Sequence, residues 1–291
     1  MQRFNTRALL FHGGTAALVA GAVGTLLSLG GNAPIWVYPL LALAALAYVA
    51  LQTRRWLRRL FAPPPPDWIG EILAEKVLFY KRLPEAEQER FRRDVHYFLL
   101  DQHIVGINVE LDDTLRVLTA ASAVVLTFGL PDYEWDTTRD ILIYPSAYTE
   151  DYEQSAHKGT RLGQVGTQGP IILSAEALHA GFANSTDGHN VGLHEFAHVL
   201  DFDDGEIDGL PANLNWQAAR PWLDQMNTHL KRGDRKGKRG RVLRNYGYTN
   251  EAEFFACATE MFFEQPARLH RRAPELYDTL VEFYGQDPRG S

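Results

Sequence analysis

His194-Glu195-Phe196-Ala197-His198 places two imidazoles four residues apart, with a carboxylate directly after the first. On an α-helix, positions four apart share one face, one turn above the other. Two imidazoles so placed can grip one Zn2+ at ~2.1 Å each. Glu195 then projects beside the ion, where it can take a proton from a bound water. The flanks read as a helix. Asn184, Ser185 and Asp187 offer caps before it, Gly205 can end it, and Val191, Leu193, Phe196, Val199 and Leu200 give it apolar surface. The competing reading is a pair of histidines that cap or bridge within a core.

A catalytic zinc takes three protein ligands and keeps one position open. The third ligand is sought in YGYTNEAEFFACATEMFFEQP, residues 246–266. A helix is predicted there from near Asn250 to Pro266, with Glu253, Cys257, Glu260 and Glu264 along one side. Cys257 is the softest donor, but two histidines and a carboxylate form the better-known hydrolytic set. Glu253 also suits a cap, because Asn250-x-x-Glu253 has the form of a capping box. Glu260 lies mid-helix among aromatics, where an unpaired carboxylate would be costly. Spacing leaves Glu253 and Glu260 both open.

These groups need a scaffold. Pro84 and the stretch after it (85–100) read as a helix, and TLRVLTAASAVVLTF (114–128) as an apolar helix central to the core. ILIYP (141–145) and PIILS (170–174) are short and β-branched and read as strands, with a loop or hairpin carrying Gly163, Gly166 and Gly169 between them. The class is α+β, mainly helical with a small sheet, and not doubly wound. One of the short strands offers an edge on which a substrate peptide could lie.

At this point the sequence resembles known families. YGYTNEAEFFA is similar to the corresponding stretch of the anthrax lethal factor protease domain. ILIYP, QGPIILS, HEFAHVLD and EFFACATEMFFE, in that order, resemble the Mlc titration factor A family of zinc peptidases, over roughly residues 80–285. The resemblance implies a zincin-like domain with one catalytic Zn2+, held by His194, His198 and Glu253, with Glu195 as general base and Tyr246 stabilising the oxyanion. It also implies a peptide or protein substrate, aminopeptidase-like activity, and the alternative of a regulatory binding protein that sequesters a partner such as a transcriptional repressor at the membrane.

The N-terminus departs from that pattern. The chain has 291 residues and a formal net charge of −7. Residues 1–61 hold six arginines and no acid, so the remaining 230 carry −13. An acidic main part argues against nucleic-acid binding, and a single cysteine excludes an internal disulfide framework. Residues 8–29 and 34–52 are uncharged runs joined by GGNAP, and they predict a two-helix transmembrane hairpin over residues 1–61. A signal peptide and a buried helical hairpin are the competing readings. Arg3, Arg7, Arg54, Arg55, Arg58 and Arg59 flank the runs, so both ends are expected on the cytoplasmic side of an inner membrane, with the bilayer as a partner. Residues 62–67, with Pro63 to Pro66, form a stiff linker to a catalytic domain at 68–291. Within that domain, KRGDRKGKRGRVLR (231–244) reads as a solvated basic loop, or as a contact for anionic lipid or an acidic partner. Asp201 reads either as a partner orienting a ligand histidine or as a surface or capping residue, and His189 as a cap or a substrate contact.

Overall fold

The computed structural model describes residues 37–52, 61–130, 133–135, 140–146, 169–202, 208–210, 216–236 and 241–290, together with Gly14, Gly21, Thr25 and Arg59. The chain divides into two compact units, Met1–Pro64 and Pro65–Ser291.

In the first unit, the second uncharged run forms α1, Val37–Gln52, a helix of 16 residues. At the rise of an α-helix this is about 24 Å, short of a hydrocarbon core of about 30 Å. No helix among the described residues is long and apolar enough to cross a membrane. The transmembrane hairpin is therefore corrected, and with it the two-span inner-membrane localisation and the bilayer as a partner. The described helix covers 16 residues of the uncharged run 34–52. The first run, residues 8–29, lies outside the described residues apart from Gly14, Gly21 and Thr25.

The second unit begins within the proline run, at Pro65. Pro66 has φ −59° and ψ 149°, the polyproline conformation, and leads straight into α2, Asp67–Lys76. Next come α3, Leu78–Arg82, and α4, Glu85–Asp101, which starts directly after Pro84. Strand β1, Ile104–Gly106, precedes α5, Asp113–Thr127. The Asp112 carboxylate caps α5 by accepting from the Leu115 N–H at 2.7 Å. From Val117 to Leu126 every residue of α5 is buried, so this helix occupies the centre of the core as its composition predicts. Such all-round burial matches its lack of a polar face.

Strands β2, Ile141–Tyr144, and β3, Ile171–Ser174, join β1 in a three-stranded sheet of order β1-β2-β3. Ile104 pairs with Ile141, and Ile141 with Ile171. All pairings are parallel, which corrects the hairpin reading, since a tight hairpin joins antiparallel strands. β1 has only three residues, too few for alternation to announce it. The mainly helical class with a small sheet agrees with the structure.

β3 runs directly into α6, Ala175–Ala183, with the Ser174 hydroxyl capping the Ala177 N–H at 3.2 Å. Then follow α7, Val191–Asp201, and α8, Trp216–Lys236. A 3-10 turn at Asn245–Tyr248 leads to α9, Glu251–Glu264, and the chain closes with α10, Pro266–Arg272, and α11, Pro274–Tyr284. α7 lies against both α5 and α9. Its contact with α5 is close because Gly192 has no side chain: a Cβ there would sit 2.0 Å from Ser122 Oγ.

Candidate metal centre

α7 carries the two histidines as the spacing predicts. Its N-cap is Asn190, whose side chain accepts from the Leu193 N–H at 3.1 Å. Asn184, Ser185 and Asp187, the expected caps, lie further back in the connection, and Gly205 is outside the described residues. His194 is buried, and His198 and Glu195 are partly exposed on the same helix. The Nε2 atoms of His194 and His198 are 3.2 Å apart.

α9 is buried along almost its entire length, although it carries four glutamates. Its capping residue answers one question the spacing left open. The Asn250 side chain accepts from the backbone N–H of Glu253 at 2.8 Å, so the cap uses the main chain of Glu253. The Glu253 carboxylate, 1% exposed, turns to α7 instead. Its Oε2 lies 3.1 Å from His194 Nε2 and its Oε1 lies 3.6 Å from His198 Nε2. Ligand atoms held about 2.1 Å from one tetrahedral ion stand roughly 3.4 Å apart. The three side chains therefore converge at the separation a single ion requires, and their ligand atoms all fall within 4.8 Å of one another.

The remaining carboxylates on this face of α9 hold the same stretch of chain one turn after another. Glu260, fully buried, accepts from His194 Nδ1 at 2.5 Å and from the Asn190 N–H at 2.9 Å. Glu264 Oε2 accepts from the backbone N–H groups of Gly188 and His189, both at 2.9 Å. Glu260 thus touches the rear nitrogen of His194, while Glu253 faces the front one. In the neutral ring, with Nδ1 donating to Glu260, the lone pair of His194 sits on Nε2, pointing at His198 and Glu253.

Arg244, which sequence reasoning placed in a basic loop, completes the rear of the site. Its Nη2 donates to the same Glu260 oxygen at 2.7 Å, its Nε lies 3.1 Å from Cys257 Sγ, and its Nη1 is 2.6 Å from His189 Nε2. Cys257 belongs to this rear group and not to the cluster at Glu253. Of the rest of the basic segment, Lys231 to Lys236 end α8 and residues 237–240 lie outside the described ones. His189 acts through its backbone on Asp187 and Glu264.

Burial alone would lower the pKa of His194, but the Glu260 carboxylate and hydrogen bonds to Cys257, Glu253 and Glu260 hold it well above its ordinary value in the metal-free protein. Burial would raise Glu260, yet the His194 charge and hydrogen bond, then Arg244 and the Asn190 N–H, hold it below the usual carboxylate range. Asp201 is also fully buried, and accepts from the Gly209 N–H at 3.0 Å, fastening the chain that follows α7.

Tyr246 stands on the 3-10 turn, which meets α9 at Gly247, where a Cβ would come within 2.8 Å of Cys257 Cβ. This close approach brings the Tyr246 hydroxyl to Glu253 Oε1, to which it donates at 3.1 Å. Glu195 has no hydrogen-bond partner among the described residues, which leaves its carboxylate available to a substrate or solvent proton. Five sequence-predicted residues are thus distributed between one helix, one turn and a crossing helix; His194, His198 and Glu253 meet one another, and Tyr246 joins them through Glu253.

The chain is 31% identical to Mlc titration factor A of Salmonella arizonae, covering 76% of this chain and 92% of that protein. It is 30% identical to Mlc titration factor A of Cronobacter sakazakii, covering 71% and 82%. An uncharacterized protein of Synechocystis is 30% identical over 89% of this chain and 94% of its own length. These matches extend the titration-factor part of the resemblance and do not bear on the lethal factor part. The profile of the glucose-regulated metallo-peptidase M90 family matches residues 51–285, and the chain belongs to that family.

Proposed function

We propose that the chain is a zinc-dependent peptidase in which His194, His198 and Glu253 hold the ion, Glu195 is the general base and Tyr246 stabilises the developing oxyanion. Membership of a metallo-peptidase family gives the coarse assignment of a metal-dependent hydrolase. The convergence of Glu253 with the two Nε2 atoms across separate helices is the observation that carries the finer one.

When bound, the ion supplies Lewis-acid polarisation of water and of the peptide carbonyl. Glu195 accepts the proton of the attacking water as its oxygen adds to the carbonyl carbon. The Tyr246 hydroxyl, which in this structure donates to Glu253, would turn to donate its hydrogen bond to the carbonyl oxygen as negative charge builds there, keeping its own proton. Glu195 then delivers its proton to the amine nitrogen as the C–N bond breaks. Glu260 keeps the His194 ring and tautomer fixed throughout. The activity assigned is aminopeptidase-like hydrolysis of small peptides.

Glu195→Gln tests this directly. Bound metal, measured by elemental analysis, is expected to stay at the wild-type ratio while peptide turnover falls by ~100-fold or more. Unchanged turnover would remove Glu195 from the mechanism. The relatives' name, titration factor, supports a second reading in which the chain binds a regulatory protein. If Glu195→Gln retains the full biological effect with turnover gone, binding is the function and hydrolysis is incidental.

A further inference from the structure

We propose that the cavity walled by Arg241, Arg244, Arg268 and Arg272 is a binding site for a compact phosphate dianion, either inorganic phosphate or a small phosphomonoester. The cavity measures about 410 Å3. It lies behind the metal centre, since Arg244 reaches the Nδ1 side of His194 whereas Nε2 faces His198 and Glu253.

The charges in its wall do not balance. Arg244 is matched by Glu260 at 2.7 Å. The other three guanidinium groups meet no carboxylate among the described residues. Arg241 donates to the Asn245 side-chain carbonyl at 3.1 Å and lies 4.8 Å above the Tyr248 ring, and its buried Nε has no hydrogen-bond partner among the described residues. Arg268 donates to the Gln265 side-chain carbonyl at 2.7 Å, and Arg272 to the Arg241 carbonyl at 3.0 Å. Asp187 is the acidic side chain on the described wall. Three unmatched cations against one anion leave about two positive charges around one open cavity. A phosphate group carries roughly −1.5 to −2 near neutral pH, which cancels that excess, whereas a monocarboxylate cancels only half of it. Guanidinium forks also suit phosphate oxygens in paired hydrogen bonds. The volume exceeds what one phosphate fills, and Met261 lines it with an apolar surface that an organic substituent could meet.

The site does not depend on the peptidase reading, but phosphate can also ligate a metal, so the test must separate the two. The metal-loaded full chain is titrated calorimetrically, at constant ionic strength, with inorganic phosphate, phenyl phosphate and acetate. One saturable site per chain is expected for the phosphates and none for acetate. Arg268 and Arg272 are exposed, so Arg268→Gln/Arg272→Gln is expected to fold, and it should weaken phosphate binding by roughly tenfold or more. Arg268→Gln alone should weaken it by a smaller factor, and serves if the double variant melts early. Tighter binding of phenyl phosphate assigns the site to phosphomonoesters, and equal binding assigns it to inorganic phosphate. Absence of saturation with either phosphate, equal saturation by acetate, or undiminished binding in the arginine variants would overturn the proposal, the last by placing the anion on the metal.

Discussion

Glu253 and Glu260 are seven residues apart on one face of α9, yet they address opposite nitrogens of a single imidazole. The consequence is a sharp difference between two similar substitutions. Glu253→Ala removes one of the three proposed ligand groups, so on that proposal the protein should be isolated without stoichiometric metal. Glu260→Gln keeps the ligands and loosens the orientation of His194, for which a loss of metal affinity of about 10–100-fold is expected. Competition against a chromophoric chelator measures both, and the reverse ranking would make Glu260 the ligand. Tyr246→Phe should keep the metal and lower kcat by ~100-fold with little change in KM if its hydroxyl acts as proposed, only as charge develops. At this scale the sequence was informative about types and incomplete about places. His194, Glu195 and His198 follow from their own spacing, whereas no spacing within α9 decides between two glutamates that share a face. That choice depends on where α7 crosses α9. Arg244 was hidden for the opposite reason: it stands among seven other basic residues of segment 231–244, and only the fold shows that its guanidinium is the one paired with Glu260.

At the scale of elements, the site exists because two helices approach a third without hindrance. Gly192 begins the approach of α7 to α5, and Ala at this position would force its Cβ against Ser122 Oγ, and against Ser122 Cβ at 2.8 Å. Ser122 is itself buried, and its hydroxyl donates to the Leu118 carbonyl at 2.9 Å, so it has little room to yield. Gly192→Ala should therefore destabilise the protein by about 1–3 kcal/mol. Because it displaces the helix bearing both histidines, metal affinity should fall with it. Urea unfolding and metal titration on the same sample check this, and a variant of wild-type stability would mean that α7 does not pack as closely as described. The elements most legible in the sequence were those with strong local signals: α5 by its largely apolar run, α9 by Asn250 and Pro266, β2 and β3 by their branched residues. The parallel pairing of the sheet was not legible, since partner choice is a long-range property and the run of glycines between β2 and β3 imitates a turn.

For the molecule as a whole, the buried carboxylates of α9 make stability depend on pH in a way that one variant can isolate. Burial pushes Glu264 up to about 7 from an ordinary 4.5, against the lowering effect of hydrogen bonds from the Asn190 side chain and the His189 backbone, with Asp187 and Glu260 adding repulsion. The folded state thus binds this proton more tightly than the unfolded chain does. Its stabilising contribution is fully present below pH 4.5 and is lost as pH rises through 7. Between pH 5 and pH 8 the loss is on the order of 2–3 kcal/mol. Glu264→Gln retains an oxygen that can accept from Gly188 and His189 and has no proton to lose. It should match the wild type near pH 5 and exceed it near pH 8 by about that amount. Glu260 and His194 are present in both proteins, so what remains in the difference is Glu264 and its repulsion with Glu260. Chemical unfolding of both forms across this range provides the measurement. Parallel stability profiles would mean that Glu264 is already ionised in the folded protein at pH 5, and that the contact between α9 and the start of α7 is an ordinary charge-assisted clamp without pH dependence.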